Sequence, residues 1–192
     1  MTSDQSITAP APGPLVISPI VGPRLYLRPL TEDDVGPEYL AWLQDEEVVS
    51  HLEVRFQHQT IEKLHQFVVD TKADRNRLLL GIFLNNRDKF VGTLFFSFDW
   101  PHLLGFVGLM IGDRSEWGRG LATEALRLAR ELGFKHLHLH RLEAGIYANN
   151  VGSIKAFSKA GFRVQCRVAQ RRLHQGVFVD EVLMGCLSSD LK

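Results

Sequence analysis

Residues Trp117–Ala125, WGRGLATEA, decide how the rest of the chain is read. They follow the apolar run Phe106–Ile111, FVGLMI, and open a pattern with apolar residues at Leu121, Ala125, Leu128, Ala129 and Leu132. The segment therefore reads as strand, glycine turn and helix N-terminus. Gly118 and Gly120 lack a Cβ and can take φ > 0, so successive backbone N–H groups can converge on one point, and the first N–H groups of a helix have no internal partner. A phosphate there gains those hydrogen bonds and the positive end of the helix dipole. The same two glycines would also serve a tight turn with no ligand. Two better-known phosphate motifs do not fit. A P-loop needs G-x-x-x-x-G-K-[ST], and a dinucleotide fingerprint needs a third glycine where Thr123 stands.

A second segment lies downstream, Asn150–Phe162, NVGSIKAFSKAGF. With both segments in view the chain resembles the GNAT superfamily of acetyl-CoA-dependent N-acetyltransferases. Trp117, Gly118, Arg119, Gly120, Leu121 and Ala122 resemble that family's Q/R-x-x-G-x-G/A pyrophosphate loop, and Asn150, Ser153, Gly161 and Phe162 resemble its N-x-x-S/A…G-F helix. A Trp opening the loop, A-T-E-A after it and Ser three residues beyond the Asn are similar to the RimJ/RimL-like branch, which includes ribosomal-protein alanine N-acetyltransferases and small-molecule or sugar-nucleotide relatives. The resemblance runs from about Arg24 to Leu187. Two residues depart from the pattern: Trp117 replaces Gln/Arg, and Phe157 stands where many members carry the Tyr thought to protonate the leaving thiolate.

The bulk properties suit one domain. The chain has 192 residues, 45% hydrophobic and 23% charged, and 22 basic residues balance 22 acidic ones. A neutral chain with pI near 7.1 has no broad attraction for nucleic acid or an anionic membrane. Cys166 and Cys186 sit in apolar, strand-like runs, which suits reduced, buried thiols in a cytoplasmic protein better than a disulfide. Residues 1–23 hold five of the eight prolines, with no Lys or Arg before Arg24, and read as a mobile arm rather than a signal peptide. Residues 24–192 read as a single acetyl-CoA-binding domain. No apolar run approaches the roughly 20 residues of a membrane helix.

From Arg24 the pattern is regular. Leu25 and Leu27 begin a strand; the T-x-x-D box at Thr31 and Asp34 predicts a helix carrying Val35, Tyr39, Trp42 and Leu43. Residues Gln44–Gln59 read as irregular, and Thr60 as the cap of a second helix with Ile61, Leu64, Val68 and Thr71 on one face. Arg77–Leu84 and Lys89–Ser97 flank Asn-Asn-Arg-Asp and predict an antiparallel hairpin. The glycine-loop helix should stop at Gly133. His136–Tyr147 reads as a strand, Asn150 as the start of a helix, and strands follow at Arg163–Val168 and Val177–Cys186, joined by a polar turn ending at Gly176. This order, β-αα-βββ-α-β-α-ββ, predicts an α+β (mixed α/β) fold with helices on both faces of a mixed sheet. The resemblance adds that the twisted sheet is mostly antiparallel, of about seven strands, with a splayed central pair.

In chemical terms, the resemblance implies that acetyl-CoA is the co-substrate and that no metal is used. Its pantetheine amides would bond the edge of the strand ending at Met110 and Ile111, and an N–H near Met110 would face the thioester oxygen as an oxyanion donor. Trp117 to Thr123, Asn150, Ser153 and Phe157 complete the expected cofactor contacts. Ser153 is the expected proton donor to the thiolate, although the same residue suits a helix-start serine bonding its own backbone; Asn150 is equally an N-cap. An attacking amine must be neutral, so a Lys amine near ~10.4 needs a base more than an α-amine near ~7.7–8.0 does. Glu53 leads the candidates because Leu52 and Val54 flank it; His51, Asp99, His102 or water are the others. His136, His138 and His140 would share one face of a strand, yet no carboxylate or cysteine alternates with them to complete a metal set. Trp42, Trp100, Glu53 and Arg55 are expected near the amine side of the cleft, with Arg55 suited to a phosphate or carboxylate. Protein N-termini, amino-sugar nucleotides, polyamines and aminoglycosides stay open as acceptors, and homodimer formation is not decided. A non-catalytic CoA-binding module is the alternative, prompted by Phe157.

Overall fold

The computed structural model describes residues 15–191. Eight strands form one sheet: β1 (Ile20–Val21), β2 (Leu25–Pro29), β3 (Arg77–Leu84), β4 (Lys89–Asp99), β5 (Leu104–Ile111), β6 (Arg141–Tyr147), β7 (Arg163–His174) and β8 (Val177–Leu187). Their order across the sheet is β1-β2-β3-β4-β5-β6-β8-β7, and every neighbouring pair is antiparallel except β5–β6. Helices α1 (Pro37–Gln44), α2 (Glu46–Val49), α3 (Ile61–Ala73), α4 (Leu121–Glu131) and α5 (Val151–Lys159) complete the fold. The expected mixed, mostly antiparallel sheet with helices on both faces is what forms, with one strand more than expected.

Period-two alternation sorts the sheet's side chains between two cores. On β3, Leu78, Leu80, Ile82 and Leu84 face the cluster that includes Leu121, Ala125 and Leu128 of α4 and Phe157 of α5; Leu79 and Phe83 face Tyr39 and Trp42 of α1 and Leu64 and Val68 of α3. Residues 1–14 of the expected arm lie outside the described residues. Leu15, Ile17 and Ile20 pack against the first core, and Ile20–Val21 pair with Leu27 and Tyr26.

Several local readings are corrected. The Thr31–Asp34 box caps only a 3-10 turn, Glu32–Asp34, and α1 begins later at Pro37. Proline lacks the N–H needed to continue a helix and holds the preceding Gly36 extended at φ −144°, so the two pieces cannot merge. The stretch read as irregular contains α2, capped by the Asp45 carboxylate, and a 3-10 turn at Glu53–Phe56. Gly133 does not end α4, which runs on into a π turn, Leu132–His136, because Leu132 and Phe134 continue the buried face. A Cβ on Gly133 would meet Leu142 at 3.1 Å, so close packing is that glycine's role. The strand expected from His136 begins only at Arg141. His138 has φ +53°, so the three histidines do not share a strand face. Cys186 is buried, but Cys166 is exposed on the edge strand β7.

Candidate active site

The site exists because two strands stop pairing. β5 and β6 run parallel and bond only over Leu104↔Arg141, Gly105↔Leu142 and Phe106↔Glu143. Beyond that point β5 stays bonded to β4 as far as Ile111↔Gly92, and β6 to β8 as far as Tyr147↔Glu181. Val107–Ile111 and Ala144–Tyr147 therefore face one another across an open wedge. The Gly112 N–H donates to the Val91 carbonyl at 2.9 Å. By alternation Met110 also turns its N–H and C=O toward β4, while those of Leu109 and Ile111 face the wedge. An N–H offered to a ligand near Met110 thus belongs to Leu109 or Ile111. The Ile111 carbonyl is already taken by the Trp117 indole N–H at 2.7 Å.

At the mouth of the wedge the glycine loop turns into α4. Gly118 has φ +74° and Gly120 φ +79°, the left-handed region that side chains disfavour, and Gly120 is the N-cap of α4 without a side chain to occupy the helix's first amides. The loop is held from beneath by Glu124, which is 7% exposed. Its Oε1 accepts from the backbone N–H groups of Arg24 (2.8 Å) and Leu25 (3.3 Å), and its Oε2 accepts from Arg24 Nε at 2.7 Å. Arg24 Nη1 in turn donates to the Arg119 carbonyl at 2.7 Å. From sequence Glu124 is only part of the A-T-E-A run, with no role assigned to it. The available signal was a carboxylate adjoining the apolar stripe Leu121–Ala125–Leu128.

Facing α4 is α5. The Asn150 carboxamide accepts from the Ser153 N–H at 3.1 Å, the N-cap expected for that residue type. A cavity of about 610 Å³ joins these parts; Leu109, Met110, Ile111, Trp117, Gly118, Gly120, Leu121, Ala122, Thr123, Asn150 and Ser153 all line it. Arg119 and Phe157 do not. The Arg119 guanidinium donates to buried Glu116 at 3.1 Å, and Phe157, 2% exposed, packs edge-on against Phe162. Gly152, Lys155, Ala156 and Lys159 also line the cavity. The i, i+4 spacing of Lys155 and Lys159 puts both on one face of α5, and they line the same cavity as the glycine loop, a pairing not singled out from sequence. Neither lysine is ion-paired among the described residues.

On the opposite side α2 and the residues after it form the wall, with Glu47, Val48, Ser50, His51 and Leu52. A second cavity of about 330 Å³, lined by Glu46, Glu47, Ser50, His51, His174 and Gln175, adjoins it. Of the four side chains read as base candidates only His51 lines either cavity. Glu53 accepts from the Tyr147 hydroxyl at 2.8 Å and from Arg172 Nη1 at 3.1 Å. Asp99 and His102 sit where β4 passes to β5, at the end of β5 remote from Ile111. Trp42 and Trp100 are core residues, 7% and 4% exposed. Arg55 is occupied by the carbonyls of Leu52 (3.0 Å) and Leu173 (2.6 Å) and by the Tyr147 hydroxyl (2.8 Å). Burial, then the neighbouring His174 and Arg55, hold the His51 imidazole below its ordinary pKa. Burial and the bond to Glu53 push the Tyr147 phenol up. Among the described residues no group of three His, Cys, Asp or Glu side chains is placed to hold a metal ion, and no helix is long and apolar enough to cross a membrane.

Comparison with known proteins agrees with this geometry. Residues 24–163 match the model of the acetyltransferase (GNAT) domain. The chain is 34% identical over 112 residues to the probable N-acetyltransferase YjcK of Bacillus subtilis, a match covering 57% of this chain and 61% of that protein. Spermidine N-acetyltransferase from Vibrio cholerae, solved with CoA and spermine, superposes with a TM-score of 0.79 at 16% identity over 88% of this chain and 98% of that one. RimJ from Mycobacterium smegmatis, solved with CoA-disulfide, does so with a TM-score of 0.76 at 20% identity over 91% and 92%. A splayed parallel strand pair, a glycine loop with two left-handed residues and an asparagine-capped helix around one cavity, together with a domain match over most of its length, place the chain in the GNAT acetyltransferase family.

Proposed function

We propose that the protein transfers the acetyl group of acetyl-CoA to a primary amine by direct attack within a ternary complex. The supporting observation is the single cavity that brings the amides at the start of α4, the unpaired edge of β5 and the head of α5 together. In this reading the diphosphate lies on the backbone N–H groups from Gly118 to Ala122, with Lys155 and Lys159 supplying positive charge. Arg119 contributes its backbone, since its guanidinium is engaged by Glu116. Pantetheine adds to the exposed edge of β5 as a further strand would, and Asn150 flanks it. The wedge-facing N–H groups of Leu109 and Ile111 are the donors for the tetrahedral oxyanion.

Ser153 lines the cavity and is the proposed proton donor to the thiolate. A free thiol titrates near ~8.5, so protonation at neutral pH is downhill and a weak donor suffices. Phe157 faces the core, so its departure from the family pattern carries little weight for the non-catalytic alternative. The acceptor is a small-molecule amine, an amino-sugar nucleotide or a protein N-terminus, entering from the side of Glu47, Ser50 and His51.

Thiol release from acetyl-CoA across amines of these three classes tests the proposal. Acceptor-dependent release from at least one is expected. Tight acetyl-CoA binding with no release from any would leave a CoA-binding module instead. Ser153→Ala should lower turnover with CoA affinity kept; unchanged turnover would remove the hydroxyl from the mechanism.

A further inference from the structure

We propose that Ser50 and His51 form a proton relay that accepts the proton of the incoming amine, with Asn149 and His174 as positioning residues. This inference rests on the acetyltransferase reading. Ser50 and His51 line both the large cavity and its neighbour, so they stand at the junction where an amine from the smaller one meets the wedge.

The hydrogen bonds offer a path for the proton. Ser50 Oγ lies 2.9 Å from His51 Nδ1 and 3.2 Å from the Glu47 carbonyl. A hydroxyl has one proton, which goes to the Glu47 carbonyl when Nδ1 carries a hydrogen and to Nδ1 when it does not; the relay uses the second arrangement. His51 Nε2 is shielded from solvent and has no hydrogen-bond partner within the protein among the described residues. An amine therefore cannot reach Nε2 directly, and Nδ1 is approached through the serine. In that arrangement the ring's own proton sits on the enclosed Nε2.

The ring is also fixed in place. It stacks on His174 with centroids 4.4 Å apart and planes 9° from parallel, and Tyr147 meets both rings edge-on. Asn149 Nδ2 donates to His174 Nδ1 at 3.0 Å, which ties the tip of the β7–β8 hairpin to the head of α5. The groups around His51 are Glu46 and Glu47 of α2, Ser50, Arg55 of the 3-10 turn, Tyr147 of β6 and His174 of β7. A second imidazole face to face and a guanidinium nearby disfavour a charged ring, so His51 is neutral when the amine arrives.

The step then balances. One N–H bond of the ammonium breaks, its proton goes to Ser50 Oγ, and the Ser50 proton passes to His51 Nδ1. The nitrogen lone pair forms the C–N bond at the thioester carbonyl, whose π electrons move to oxygen. Collapse restores the carbonyl and breaks the C–S bond; the thiolate takes the Ser153 hydroxyl proton, and Ser153 regains one from the second proton shed by the nitrogen. His51 releases its proton to solvent. Ammonium and acetyl-CoA thus yield amide, thiol and one proton.

The test is the pH dependence of kcat and kcat/KM for wild type, Ser50→Ala, His51→Gln and His174→Asn, with acetyl-CoA affinity as the check on folding. A positioned base contributes roughly 10²- to 10⁴-fold. His51→Gln should lose at least about 10²-fold in kcat, keep its acetyl-CoA affinity and lose the acid limb of the profile, and Ser50→Ala should follow it. His174→Asn should keep that limb but move it to higher pH, which a purely structural role would not do. Rates for Ser50→Ala and His51→Gln within twofold of wild type, with the profile unmoved, would overturn the relay. No acceptor-dependent release by the wild type would sink the acetyltransferase reading instead. Imidazole ¹⁵N spectra then judge the pair by itself: a neutral ring with its proton on Nε2 is expected, and one with its proton on Nδ1 overturns the relay.

Discussion

Replacing Gly120 with alanine isolates the backbone's part in ligand binding. Gly120 has φ +79°, and an added Cβ would meet only Arg24 Nη2 at 3.7 Å, an ordinary contact. Crowding therefore costs nothing, and the whole effect is conformational, about 1–2 kcal/mol for an L side chain in the left-handed region. That energy appears in one of two places. If the loop keeps its conformation, the strain lowers stability, and at roughly 2–4 °C per kcal/mol for a domain of this size Tm falls by about 2–8 °C. If the unliganded loop relaxes, the amides turn away from the ligand, and acetyl-CoA must restore them at an affinity loss of about five- to thirtyfold. Differential scanning calorimetry with and without acetyl-CoA, together with titration calorimetry, measures both. Combined losses of about 1–2 kcal/mol are expected. Tm and Kd both unchanged would show that the left-handed turn is not imposed by the fold, and the reasoning about this loop would fail.

Other consequences can be checked independently. Glu124→Gln sets an amide N–H₂ against Arg24 Nε or removes an acceptor from two backbone amides, and should destabilise by on the order of 2 kcal/mol, moderated because Arg24 is half exposed; urea unfolding measures it. Lys155→Ala and Lys159→Ala should each weaken acetyl-CoA binding by about two- to fivefold at low salt and flatten its salt dependence, as exposed charges do. An unchanged salt slope in the double variant would place the phosphates elsewhere. For His51 the folded pKa lies below the unfolded value near ~6.5, so the unfolded chain binds more protons between the two. Unfolding free energy should hold above about pH 6.5, fall as pH drops through that window, and fall less in His51→Gln. Burial pushes the Cys186 thiol up to about 11, whereas Cys166 is exposed, so an aromatic disulfide reagent should titrate one thiol promptly in the native protein and both only after unfolding.

The parts of the fold written in local chemistry were legible. Period-two runs gave the β3–β4 hairpin, Thr60 gave the start of α3, and two glycines before an apolar 3.6-residue pattern gave α4 and its anion-binding mouth. What was hidden depended on partners distant in sequence. The carboxylate of Glu124 is explained only when Arg24 and Leu25 arrive beside it. Glu53 looked like a base between two apolar residues, but Tyr147 and Arg172 engage it from strands far along the chain. His174 read as part of a polar turn, because the bulged edge strand β7 carries mostly solvent-facing residues and has no strong alternation. Local rules also competed: alternating histidines and leucines from His136 imitate a strand, yet pairing with β6 cannot begin before β5 does, and β5 starts after the left-handed Leu103.

A crystal structure of the acetyl-CoA complex tests the central claim most directly. The diphosphate should sit within about 3 Å of the backbone nitrogens between Gly118 and Ala122, with pantetheine running between Val107–Ile111 and Ala144–Tyr147 and the sulfur near Ser153. Acetyl-CoA bound outside the wedge, with the α4 amides facing only solvent, would contradict the account.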